Sequence, residues 1–181
     1  MKNTATAYGT VSRSLHWLIA IAIIGLLAVG TYMEGLPDDA PQRGMLYGLH
    51  KATGALTLLL VIIRIGWIAY SPAPALPEAI PARDKKLSKA VKHLMYLLMV
   101  VAPLSGLLMS HFFGYPVDMY GLFKLPQVVE TNKELAGFFH TVHGISTQLL
   151  AVCVILHIAG VIKHRRSGNP EEDVLPRMLG K

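Results

Sequence analysis

A single cysteine, Cys153, in 181 residues excludes an intrachain disulfide, and no Cys-x-x-Cys pair exists for a zinc site, an iron–sulfur cluster or covalent haem attachment. Charge is scarce as well: 15% of residues are Asp, Glu, Lys or Arg against 52% hydrophobic, where a soluble domain carries about 25% charged residues. Acidic groups are the scarcer sign, 11 against 17 Lys and Arg, for a net charge of +6. That excess does not point to nucleic acid, because the basic residues gather at the ends of apolar runs, where they act as topology signals. Internal repeats are absent, and the one biased segment is the Pro-rich SPAPALPEAIP at 71–81, a stiff extended linker. The first apolar run follows Arg13 but continues to about Met33 with no A-x-A cleavage pattern, so it reads as a retained helix rather than a leader.

What the chain has in abundance is long apolar segments. Four of them, over 14–33, 46–70, 91–111 and 139–163, each suffice to cross a hydrocarbon layer of roughly 30 Å as a helix. The expected fold is an all-α integral membrane protein, a four-transmembrane-helix bundle forming one domain over 1–181. Pro37 and Pro41 break the first connection, Pro103 is expected to kink the third helix, and the aromatic loop from Phe112 to Glu134 is expected to fold onto the membrane surface. The N-terminus, the 71–92 loop and the C-terminal tail with their margins hold twelve Lys and Arg; the two opposite loops and margins hold four, Arg43, Lys51, Lys124 and Lys133. By the positive-inside rule both termini are then cytoplasmic.

The most informative run is FHTVHGISTQLLAVCVILHIAGVIK, over 139–163. His143 and His157 are 14 residues apart, which returns to nearly the same helix face after an axial rise of roughly 21 Å. One stripe of one helix thus carries an imidazole near each membrane surface. An imidazole in an apolar span is costly without a partner, so it reads as functional. Depth supplies the partners: His16 matches His157 near the cytoplasmic surface, and His50 matches His143 near the outer one. Each pair is placed to clamp one haem, and two non-covalent haem b groups with bis-histidine ligation favour electron transfer, since no axial position stays open. His140, 17 residues from His157, lies about 100° off that stripe and is the weaker candidate. Gly54, near His50, and Gly160, near His157, suit the approach of a flat ring or, alternatively, close helix packing. A tetrahedral zinc site fits poorly because the four histidines sit at two depths; the bland alternative for the set is interfacial histidines in the headgroup region.

A second layer lies at the cytoplasmic edge. His93 and His164 sit among Lys92, Lys163, Arg165 and Arg166. A histidine at a wet surface moves protons near neutral pH, so this corner is a candidate quinone site. Anchoring to anionic lipid headgroups is the competing role. Arg64, inside the second span, is expected to pair with a haem propionate or to snorkel to the surface.

R-S-L-H-W at 13–17, L-H-K-A-T-G at 49–54, K-H-L-M-Y-L-L at 92–98, the G-Y-P-V…G-L-F-K-L-P loop, the His143/His157 spacing and D-V-L-P-R-M-L near the end occur together and in order. With these motifs the chain resembles the bacterial cytochromes b561, the four-helix di-haem family that includes superoxide:ubiquinone oxidoreductase. The resemblance implies haem ligation by His16, His50, His143 and His157. It implies a quinone near the cytoplasmic haem at positions that include His164, and, in some members, superoxide as the outer electron donor. Lys51, beside His50, is the candidate for drawing an anionic radical to the outer face, with Lys124 and Lys133 behind it. Against it stand Glu34, Asp38, Asp39, Asp118, Glu130 and Glu134, which make the outer loops net acidic. The alternatives are an electron-transfer subunit working with a partner dehydrogenase or periplasmic redox protein, and a haem-free membrane scaffold or transporter.

Overall fold

The computed structural model describes residues 2–180. Four long helices run as α1 (Thr10–Glu34), α2 (Arg43–Tyr70), α3 (Ala82–Phe112) and α4 (Lys133–Arg165), followed by a 3₁₀ turn at Pro170–Glu172 and a short α5 (Leu175–Leu179). At 1.5 Å per residue the four helices are about 37 to 50 Å long, and each is apolar enough to cross a membrane. Most of their apolar surface faces outward, as in a bundle whose solvent is lipid. The fold is all-α; among the described residues the only β pairing is the single bridge between Asp118 and Lys124.

Two ends can be told apart by charge. The basic end holds both termini and the α2–α3 linker; the acidic end holds the α1–α2 and α3–α4 connections. α3 begins at Ala82, ahead of its apolar run, because ARDKKLSKA is made of good helix formers with Asp84 in the first turn, where a carboxylate favours the helix dipole. It continues through Pro103, so that proline does not end it. Asn132 caps α4, its side chain accepting the Leu135 amide at 3.0 Å.

α1 packs on α2, α2 on α3 and α3 along α4, while α4 makes no extended backbone contact with α1 or α2. The four helices still share one apolar core: Ile19 and Ile23 from α1, Val61 from α2, Leu98 and Met99 from α3, Leu150 and Cys153 from α4. Leu150 lies seven residues from both His143 and His157, so the core occupies the middle of the histidine stripe.

The α3–α4 loop at the acidic end carries a tight hairpin. Tyr120 (φ 58°) and Gly121 (φ 78°) form its left-handed turn, the backbone pattern that matches strand twist in two-residue hairpins. Met119 N–H donates to Phe123 O at 2.8 Å, and Leu125 N–H to Val117 O at 2.8 Å. The tip returns to the bundle through Tyr120 and Thr53, whose hydroxyls are 2.9 Å apart. At the basic end the tail folds back in turn: Trp17 Nε1–H donates to Met178 O at 3.2 Å, and Arg177 to Ala75 O at 2.8 Å.

Candidate functional site: two facing histidine pairs

α4 meets α1 and α2 through imidazoles. The His16 and His157 ring centres are 6.2 Å apart with an interplanar angle of 71°. Those of His50 and His143 are 6.3 Å apart at 87°. A direct imidazole–imidazole hydrogen bond would draw the centres to about 5 Å. Two metal–nitrogen bonds of about 2 Å each, with the offset from nitrogen to ring centre, require about 6 Å. Both pairs therefore fit two axial ligands of one iron. No cluster of three or more His, Cys, Asp or Glu able to hold a metal exists among the described residues.

Neighbouring groups orient the rings. His143 Nδ1–H donates to the Ala102 carbonyl at 2.7 Å, which fixes its tautomer and leaves the Nε2 lone pair free to bind a metal. The ring reaches α3 because residue 106 is glycine: a Cβ there would lie 2.9 Å from His143 Cε1. Gly30 does the same for His50, where a Cβ would lie 3.2 Å from Cε1. Neither glycine follows from the sequence argument applied to α4 alone. Gly30 had a signal, however: it lies 14 residues after His16 on α1, so α1 offers a ligand at one level and space at the other. The same interval on α2 carries His50 to Arg64. By contrast a Cβ at Gly54 or Gly160 meets no protein atom within 4 Å, so neither glycine serves helix packing.

The family model for prokaryotic cytochrome b561 matches residues 7–181. The chain is also 32% identical to cytochrome b561 homolog 2 of Escherichia coli K12 over 187 aligned positions, covering 99% of this chain and 94% of that relative. The chain belongs to the prokaryotic cytochrome b561 family. It is thus a multi-pass protein of the bacterial inner membrane and a transmembrane electron-transfer cytochrome of a family that binds haem b.

The remaining candidates of this cytochrome separate by environment. Arg64 Nε–H donates to the Tyr96 hydroxyl at 3.0 Å, while its Nη1 is buried with no protein partner. Arg64 lies 14 residues along α2 from His50, the same interval that separates His143 from His157, which places it at the level of His16 and His157. An orphaned guanidinium nitrogen there fits a haem carboxylate. Tyr8 joins the cluster from the N-terminal segment; burial, then Tyr96, raises its phenol above the ordinary tyrosine range, against the opposing pull of Arg64 and Arg177.

His164 is buried, not free at a wet edge. Its Nδ1 lies 3.0 Å from Glu172 Oε2 and its Nε2 3.6 Å from Asp84 Oδ2. Lys163 shares the Asp84 carboxylate. His93, grouped with His164 by sequence, is exposed, and its Nδ1–H is given to the Lys89 carbonyl of its own helix at 2.7 Å. The structure therefore does not bring these two into one cluster. His140 is exposed, one turn from His143 and outside the facing pair. Lys51 is half-buried and donates to Ser110 Oγ at 3.2 Å.

Proposed function

We propose that this cytochrome is a single-domain, di-haem conduit that takes electrons from superoxide at the outer, acidic end and delivers them to ubiquinone near the cytoplasmic, basic end. The observation that carries the reading is the repetition of one geometry at two levels, imidazole pairs 6.2 and 6.3 Å apart on a 14-residue stripe. His16 with His157, and His50 with His143, would each hold one haem b; Arg64 supports the first pair. Haem iron between two imidazoles supplies a one-electron carrier with no open coordination position. The apolar core around Leu150 keeps water out of the space between the levels. The twelve-to-four bias of Lys and Arg supports cytoplasmic termini.

In this reading Lys51 attracts the anionic donor. Superoxide gives up one electron and leaves as dioxygen; two such electrons and two protons convert ubiquinone to ubiquinol. His164 is the group able to pass protons at the quinone end, held by Glu172 and Asp84. His93, exposed at the same end, is the outlying member of that corner. A second reading, a periplasmic redox protein or partner dehydrogenase as donor, is favoured by the acid-rich outer face of Glu34, Asp38, Asp39, Asp118, Glu130 and Glu134.

Pulsing the oxidised, purified protein with superoxide distinguishes the two, with dithionite as the full-reduction control. Haem reduction within the pulse is expected; reduction by dithionite alone would transfer the donor role to a protein partner. His164→Ala is expected to leave both haem spectra intact and to slow ubiquinone reduction about 100-fold. An unchanged quinone rate would return His164 to a structural role in docking the tail.

A further inference from the structure

At the acidic end a buried imidazole has no partner within the protein, and a nearby cation has no acid. His111 is 3% exposed, and both its ring nitrogens are buried without a hydrogen-bond partner. A neutral imidazole offers one donor and one acceptor, so two hydrogen-bonding needs are unmet. Lys51 is half-buried, and among the described residues no carboxylate lies within ion-pair distance of it. Its ammonium touches Ser110 Oγ, which gives its own proton to the Tyr115 carbonyl at 2.6 Å. Lys51 is close enough for its charge to act on His111.

These groups are held in place from three directions. Lys51 follows His50 on α2, and side chains of that helix lean toward its N-terminus, here the acidic end. Ser110 lies four residues beyond Gly106, the glycine against which His143 rests, so it is about 6 Å further toward the acidic end on the same face. The hairpin loop closes over them, with Gln127 Nε2–H donating to the His111 carbonyl at 2.6 Å and Gly114 N–H at 2.9 Å. A cation and an unpartnered imidazole, enclosed together with no acid, call for an anion with several acceptor oxygens.

We propose that Lys51 and His111, with Ser110 steadying the Lys51 ammonium, form a carboxylate-binding site at the acidic end, placed to receive a propionate of the haem held by His50 and His143. The placement beside that haem rests on the proposed ligand set. The anion chemistry rests on Lys51 and His111 alone and would equally serve a small carboxylate entering from the outer face.

Two measurements on the full-length holoprotein test the site. Resonance Raman spectra of the reduced protein report the propionate bending modes. Lys51→Met and His111→Phe are each expected to shift the mode of one haem, the one that His143→Ala removes, with His111→Gln restoring part of the shift. Thermal melting with added acetate is the second arm. A propionate already in the site leaves the melting point flat. A free-anion site raises it by about 3 °C, saturably, and loses that rise in Lys51→Met and His111→Phe. Either pattern supports the site and names its occupant. Unmoved propionate modes together with a flat acetate response would overturn it. If His143→Ala leaves the haem content unchanged, the ligand reading fails instead, and the acetate arm alone decides the site.

Discussion

Replacing His143 with alanine is expected to lower bound haem b from two per chain to one, leaving a protein whose redox titration fits a single component. The reasoning is geometric. Among the described residues His143 is the imidazole that faces His50, at 6.3 Å between ring centres. His16 and His157 face each other at the other level, 14 residues along the stripe. The apolar core lies between the levels, so loss of one ligand leaves the other pair's surroundings intact. Truncation at 143 also leaves the Ala102 carbonyl without this donor, a loss of about 1 kcal/mol that a four-span bundle tolerates. His157→Ala is the mirror experiment and should remove the other haem. Equal loss of both haems in either variant would break the pairing by depth.

Gly106→Val is the second large effect, and it touches no ligand atom directly. Even the first carbon of a side chain at 106 would sit 2.9 Å from His143 Cε1. The ring has little freedom to retreat, since its Nδ1–H is bound to Ala102 O at 2.7 Å. Valine must therefore push the imidazole off its axis or break that bond. Disturbing a group that orients a metal-ligating histidine costs about 10- to 100-fold in affinity. The expected result is selective release of the haem at the acidic end to a competing haem acceptor, with the other haem retained. Gly30→Ala, at 3.2 Å from His50 Cε1, should act in the same direction more weakly. Gly48→Ala is the control, because a Cβ there meets nothing within 4 Å; haem loss in that variant would trace the effect to general helix damage.

The bundle and the two histidine levels were legible in the sequence because both are one-helix properties. Apolar length gives the spans, and a 14-residue interval gives the shared face of His143 and His157. The cradle glycines were harder. Gly106 sits on α3, which carries no member of the facing pairs, and which residue of α3 lies beneath an imidazole of α4 depends on how two helices rotate against each other. His111 was hidden for a similar reason: it lies at the end of α3, where the α3–α4 loop returns through Gln127, and that loop's left-handed turn at Tyr120 has no strong local signal, tyrosine being an unusual residue at positive φ. His164 read as a surface group because its carboxylate partners lie far apart in sequence, Asp84 at the start of α3 and Glu172 in the tail. His93 looked equivalent by composition, yet its ring turns back to its own helix at Lys89. Periodicity locates residues that share a helix face; it is silent on contacts that depend on loops closing over a bundle end.

Two haems in one chain, each between two histidines, at two levels of the membrane, make a countable prediction. The most direct measurement is the ratio of haem b to protein in the full-length protein expressed with ample haem, taken from the pyridine haemochrome spectrum and amino-acid analysis. Two haems per chain, falling to one in His143→Ala and to one in His16→Ala, is the expected result. One haem per chain in the unaltered protein, or two that both persist without His143, would contradict it.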